Sequence, residues 1–127
     1  MKTQYALALA LLTGVGIGAA AIQGLHAQAK PIAYVIAEID VMNQEQYAKE
    51  YIPLSSKALM AGGAKFLARN SKTESFKGEP PKRIVVFSFE NLDKAKAAFT
   101  SPAFVEAVGI GEKYAKFRIY AVEASPK

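Results

Sequence analysis

The stretch Arg83-Ile84-Val85-Val86-Phe87-Ser88-Phe89-Glu90 decides the fold. Branched and aromatic residues fill both of its alternating faces until Ser88, the pattern of an interior strand covered on two sides. Gly78, Pro80 and Pro81 punctuate its upstream end, and Asn91 stands downstream as a helix N-cap for a helix over about 92–100. Ser101-Pro102 restarts that helix, with serine as cap and proline at the first helical position, where its missing N–H costs nothing. Phe104, Val105 and Val108 form its expected apolar side, Gly109 and Gly111 mark its end, and 114–123 reads as a last strand.

The pattern upstream mirrors the pattern downstream. Tyr34 to Val41 alternates and is rich in branched residues, so it reads as a strand. Asn43 caps the next helix, with Gln46 at capping-box spacing. That helix is expected to present Tyr47, Tyr51 and Leu54 on one side. Pro53 predicts a kink or a restart, because proline lacks a donor and crowds the preceding turn. Gly62-Gly63 ends it, and Ala64 to Arg69 reads as a second strand. The polar connection from Asn70 to Lys82 is expected to hold a short extension around Glu74 to Phe76. Strand, helix, strand, strand, helix, strand is the α+β, ferredoxin-like βαββαβ order: an antiparallel sheet with both helices on one face.

Parity then divides the sheet. Val35, Ala37, Ile39 and Val41 share one face with Val85, Phe87 and Phe89, the richer apolar set and hence the helix side. Tyr34, Ile36, Glu38 and Asp40 take the other face with Ile84, Val86, Ser88 and Glu90. Ile36, Ile84, Val86, Leu67 and Val122 would leave that second face apolar and open, which marks a partner surface; a self-complementary face gives a two-fold homodimer most simply.

Several stretches together resemble the bacterial family known as domain of unknown function 1330. They are Tyr34-Val-Ile-Ala-Glu-Ile, the Tyr47 and Tyr51 pair before Pro53, Gly62-Gly63-x-x-Phe66-Leu67-Ala68-Arg69, Arg83-Ile-Val-Val-Phe-x-Phe and Ala98-x-x-Ser101-Pro102. The resemblance runs from about Ala33 to Glu123. It implies a dimeric α+β barrel, two sheets packed face to face, and no established activity. Proteins related by fold include small monooxygenases, muconolactone-isomerase-like enzymes and haem-binding dismutases. Similar proteins tend to follow the arginine with a glycine pair, where this chain has Asn70-Ser71, so the turn after Arg69 is expected to differ.

The N-terminal segment supplies an address. Lys2 is followed by an uncharged run over 5–22, mostly Ala, Leu, Gly, Val and Ile, and then by the small-x-small motif Ala27-Gln28-Ala29. That is the layout of a secretion signal over 1–29, cut between Ala29 and Lys30. No twin arginine precedes the run, which fits the general secretory route. The domain from 30 to 127 is then expected in a periplasm or outside the cell, with no stable membrane insertion after cleavage.

Composition excludes much chemistry. The chain has 127 residues, no cysteine, no tryptophan and one histidine, and that histidine, His26, lies in the signal segment. His-dependent serine hydrolysis and haem ligation through His or Cys are therefore excluded for the mature domain. The formal charge is +5, but the basic residues are scattered, with Pro80-Pro81-Lys82-Arg83 the densest spot. Nucleic-acid binding wants a basic stripe with interleaved aromatics, so no nucleic-acid partner is expected. Glu38, Asp40 and Glu90 show no loop-ligand spacing, so no metal and no cofactor is expected either.

What remains is a carboxylate, guanidinium and phenol set. Glu38 and Ser88 share the open face, Arg69 is expected to project to the same side with Leu67 and Lys65, and Arg118 and Tyr120 share one parity of the last strand. Such groups beside an apolar cavity suit a small acidic or phenolic ligand, since arginine donates two parallel hydrogen bonds to a carboxylate. A desolvated Glu38 is the candidate base; the alternative is a structural ion pair. Tyr47 and Tyr51, at i, i+4, are read as helix-to-sheet packing. Two functions remain: a small exported dimer that binds a small organic ligand or supports an assembly, and a cofactor-independent enzyme acting on such a molecule by proton transfer, isomerisation or oxygenation.

Overall fold

The structure, a computed structural model, describes residues 30–126. The expected signal segment 1–29 lies outside the described residues. A 4-stranded sheet is built from β1 (Ala33–Val41), β2 (Lys65–Ala68), β3 (Arg83–Phe89) and β4 (Ala115–Glu123), in the order β2-β3-β1-β4. All neighbouring pairs are antiparallel. Between β1 and β2 runs α1, a continuous helical segment made of Gln44–Gln46, a π-helical turn Tyr47–Tyr51 and Ile52–Ala61. Between β3 and β4 run α2 (Leu92–Phe99) and α3 (Pro102–Gly111). This is the ferredoxin-like α+β arrangement, and β3 is interior, flanked by β2 and β1.

The caps sit where the sequence puts them. The Asn43 side chain accepts from the Gln46 N–H (3.2 Å), Asn91 from the Lys94 N–H (2.9 Å) and Ser101 from the Phe104 N–H (3.3 Å). Each supplies an acceptor to a first-turn donor that has no partner inside its helix. Gly63, at φ 95°, carries the chain from α1 into β2 through a left-handed turn.

The core lies between the helices and one sheet face. Ala33, Val35, Ala37 and Ile39 of β1 are buried there with Phe87 and Phe89 of β3. Phe99 sits edge-on to Phe87, Phe89 and Phe104, knitting α2 and α3 to the sheet. Small residues allow the close approach: Ala95, Ala98 and Ala107 are buried at the helix contacts.

Four local expectations fail for identifiable reasons. Leu54 does not join Tyr47 and Tyr51; it is 45% exposed, and Ser55, Ala58 and Leu59 take the inner positions. The restart predicted at Pro53 takes the form of the π turn. The Ile52 N–H reaches back five residues to the Tyr47 carbonyl, and the α-helical part opens with the proline in its first turn. One extra residue in a turn delays the helical phase by about 100°, enough to exchange Leu54 for Ser55. In α3 the inner face runs Phe104, Ala107, Gly111, and Val105 turns to solvent. No strand forms around Glu74–Phe76; the segment is polar, and Phe76, its lone large apolar residue, is 95% exposed. Arg69 lies outside β2, which ends at Ala68 after a register irregularity between Phe66 and Ala68.

Candidate functional site

A cavity of about 250 Å³ lies on the helix side, between α1 and strands β1 and β3. Its floor and walls are Ala37, Ile39, Leu59, Phe66, Val85 and Phe87. Tyr47, Tyr51, Ser55 and Ser56 face it from α1, Arg69 and Asn70 from the end of β2, and Arg83 from the start of β3.

The π turn places the phenols. Its wider winding sets Tyr51 almost beneath Tyr47, with ring centroids 5.1 Å apart and planes 27° from parallel. Both rings also pack on Phe117 of β4. They are buried packing residues, as the i, i+4 spacing implies, and they line the pocket as well. Tyr51 fits only because α3 ends its contact in glycine: a Cβ on Gly111 would overlap the Tyr51 ring and come within 2.9 Å of Phe117. Burial pushes both phenols up from their ordinary 10.0. For Tyr47 a hydrogen bond from Arg83, and then the Arg83 and Arg69 charges, act against that rise.

The two arginines are held by neutral oxygens. Arg69 Nη2 donates to Ser56 Oγ at 3.2 Å, with its guanidinium 4.5 Å from the Phe66 ring centroid. Arg83 Nη2 donates to Gln44 Oε1 at 2.8 Å, with its guanidinium 5.2 Å from the Tyr47 centroid. Among the described residues, no carboxylate lines this pocket, and neither arginine is in a salt bridge. Asn70 completes the rim at φ 54°, in the left-handed region. Asparagine tolerates that region best after glycine. The segment between Asn70 and Arg83 thus leaves from the pocket rim and returns to it.

The residues singled out by the sequence separate in space. Glu38, Arg118 and Tyr120 meet on the open face: Tyr120 Oη donates to Glu38 Oε2 at 2.7 Å, and Arg118 Nε lies 4.0 Å from the same oxygen. The Glu38 hydrogen bond raises the Tyr120 phenol. Ser88 is on this face but opposite Tyr34, four residues along β1 and roughly 13 Å from Glu38. Arg69 is not on this face at all. The irregularity in β2 turns it back over Phe66, onto the helix side.

Sequence reasoning missed Arg83, Ser55, Ser56, Asn70 and Gln44 as parts of one site. One signal for Arg83 was available. It shares the parity of Val85, Phe87 and Phe89, and a charged residue on the buried parity of an interior strand asks for a cavity or a partner.

Residues 32–125 match the profile of the family described as Domain of unknown function (DUF1330). The chain belongs to the DUF1330 family. Among curated proteins none is significantly similar to it in sequence. Solved structures resemble this DUF1330 protein in fold. A protein of unknown function from Rhodopseudomonas palustris, RPA0582, superposes with a TM-score of 0.60 at 11% identity, covering 84% of this chain and 93% of that one. SnoaB, a cofactor-independent oxygenase from Streptomyces nogalater, gives 0.53 at 10% identity over 78% and 97%. An EthD-like protein from Ralstonia eutropha gives 0.52 at 16% identity over 74% and 92%. These likenesses establish the ferredoxin-like α+β barrel fold and no more.

Proposed function

We propose that this DUF1330 protein is exported, pairs with a second copy through its open sheet face and binds a small organic molecule in the pocket between α1 and the sheet. The pocket carries the reading: an apolar interior with convergent guanidinium, hydroxyl and phenol donors at its rim is how small-molecule sites are built. The layout of 1–29 supports export, and a mass beginning at Lys30 in the exported protein tests it. Ile36, Ile84 and Val86 remain half-exposed at the middle of the open face, which supports pairing.

Native mass spectrometry with a library of small neutral and charged compounds tests the ligand reading, using Ser56→Trp to fill the pocket mouth. Retained melting temperature with loss of the bound compounds is the expected result. Compounds that bind both forms equally defeat the assignment.

A second reading, a cofactor-independent enzyme, draws on Tyr47, a phenol inside the pocket beside a guanidinium that would stabilise an organic anion formed there. On that reading Tyr47→Phe keeps binding and abolishes turnover. Glu38, the candidate base of the sequence reading, does not line this pocket.

A further inference from the structure

We infer that the pocket selects a small organic carboxylate: the carboxylate taken at the rim by Arg69 and Arg83, an apolar body lying inward against Leu59, Phe66 and Phe87. The inference rests on the pocket reading above and names the chemical class of its occupant.

Charge is the first argument. Two guanidiniums face one small cavity, and their fixed partners, Ser56 Oγ and Gln44 Oε1, are neutral. Their full positive charge is therefore left at the rim. The open face behaves differently: Arg118 there already has Glu38 beside it, and Lys82 has Asp40 at 3.6 Å. Two like charges at one cavity mouth, with no carboxylate among the described lining residues, set up a positive field there that attracts an anion from outside.

Preorganisation is the second. Each guanidinium lies over an aromatic ring and is held through Nη2 by a neutral oxygen, Ser56 Oγ for Arg69 and Gln44 Oε1 for Arg83, and a guanidinium carries five N–H donors in all. An arginine fixed in this way presents paired donors to the two oxygens of a carboxylate with little ordering left to do. The remaining polar groups, the Tyr47 and Tyr51 hydroxyls and the Asn70 amide, add donors. The Tyr47 oxygen feels both arginine charges, so their fields overlap beside it.

Size and polarity give the third. The volume of about 250 Å³ lies under the ~300–1,000 Å³ of pockets that take drug-sized ligands. Below the rim the walls are aliphatic and aromatic. An inorganic anion would leave that interior empty, and a neutral apolar molecule would leave both guanidiniums unanswered.

Calorimetric titration of the protein with benzoate and phenylacetate, with benzamide and phenylacetamide as uncharged matches, and with acetate and inorganic phosphate as bodiless anions, separates these cases. The acids are expected to bind at least tenfold tighter than their amides and than acetate or phosphate. Arg69→Gln, an exposed change that leaves the fold intact by circular dichroism, is expected to weaken the acids at least tenfold and leave the amides unmoved. Arg83→Gln serves as the second variant with the same expectation. Amides that equal the acids overturn the carboxylate assignment while the pocket reading stands. Acetate or phosphate equal to benzoate overturns the apolar body. Binding by none of the probes overturns this inference, whereas the pocket reading falls only with the failure of the full library against Ser56→Trp.

Discussion

The two faces of one sheet handle charge in opposite ways. On the open face Glu38, Arg118 and Tyr120 satisfy one another, and Asp40 answers Lys82. On the helix side Arg69 and Arg83 stand at a cavity with only neutral partners. Residue type favours the first group as a site, because it contains a candidate base. Geometry favours the second, because its guanidiniums have only neutral partners and face a cavity. Glu38, Arg118 and Tyr120 form one hydrogen-bonded, ion-paired cluster on a face that also carries the apolar Ile36, Ile84 and Val86.

The open face is most vulnerable to substitution at its middle. Val86 stands opposite Ile36, half-exposed. In a dimer closed through this face, Val86→Glu strands a charge in a dry interface, a loss of about 3–5 kcal/mol, enough to leave monomers by analytical ultracentrifugation at micromolar concentration. A dimer that persists with unchanged affinity would place the partner elsewhere.

On the helix side the corresponding weak point is Gly111. Gly111→Ala drives a methyl into the Tyr51 and Phe117 rings. Overpacking of this kind is expected to cost about 1–3 kcal/mol by thermal or urea unfolding, and to displace Tyr51 at the pocket wall. An unchanged melting temperature would mean that the π turn gives way more easily than its packing implies.

Tyr51 also makes the helix side sensitive to alkali. Its folded pKa is raised above the ordinary 10.0, first by burial and then by the neighbouring Tyr47. The sign follows from which state holds the proton. Below pH 10 both states are protonated and the contribution is complete. Above it the unfolded chain loses the proton first, so stability falls as pH rises toward the folded pKa. Melting curves from pH 8 to 11 are expected to fall more steeply for the native chain than for Tyr51→Phe. Parallel curves would assign the alkaline loss to other groups.

The smallest effect is expected from Glu38→Gln. The Tyr120 hydroxyl can still donate to the new amide oxygen, and the ion pair removed is weak, with the Arg118 side chain 78% exposed. A loss below about 1 kcal/mol by urea titration is expected. A loss of several kcal/mol would show that a partner seals this end of the face as well.

By itself the sequence determined the element order, the caps at Asn43, Asn91 and Ser101, the interior position of β3 and the division of β1 and β3 into two faces. These follow from local rules: side-chain parity, capping chemistry and proline and glycine geometry act over a few residues. Tertiary structure alone decided where the functional groups meet. The π turn at Tyr47–Tyr51 shifts the helix phase and brings Ser55 inward in place of Leu54. The irregularity in β2 moves Arg69 from the expected open face to the helix side, 14 positions before its companion Arg83 in the chain. Both are one-residue adjustments of backbone winding. They leave composition and periodicity almost untouched, yet a single-residue slip carries a side chain to the opposite side of its element.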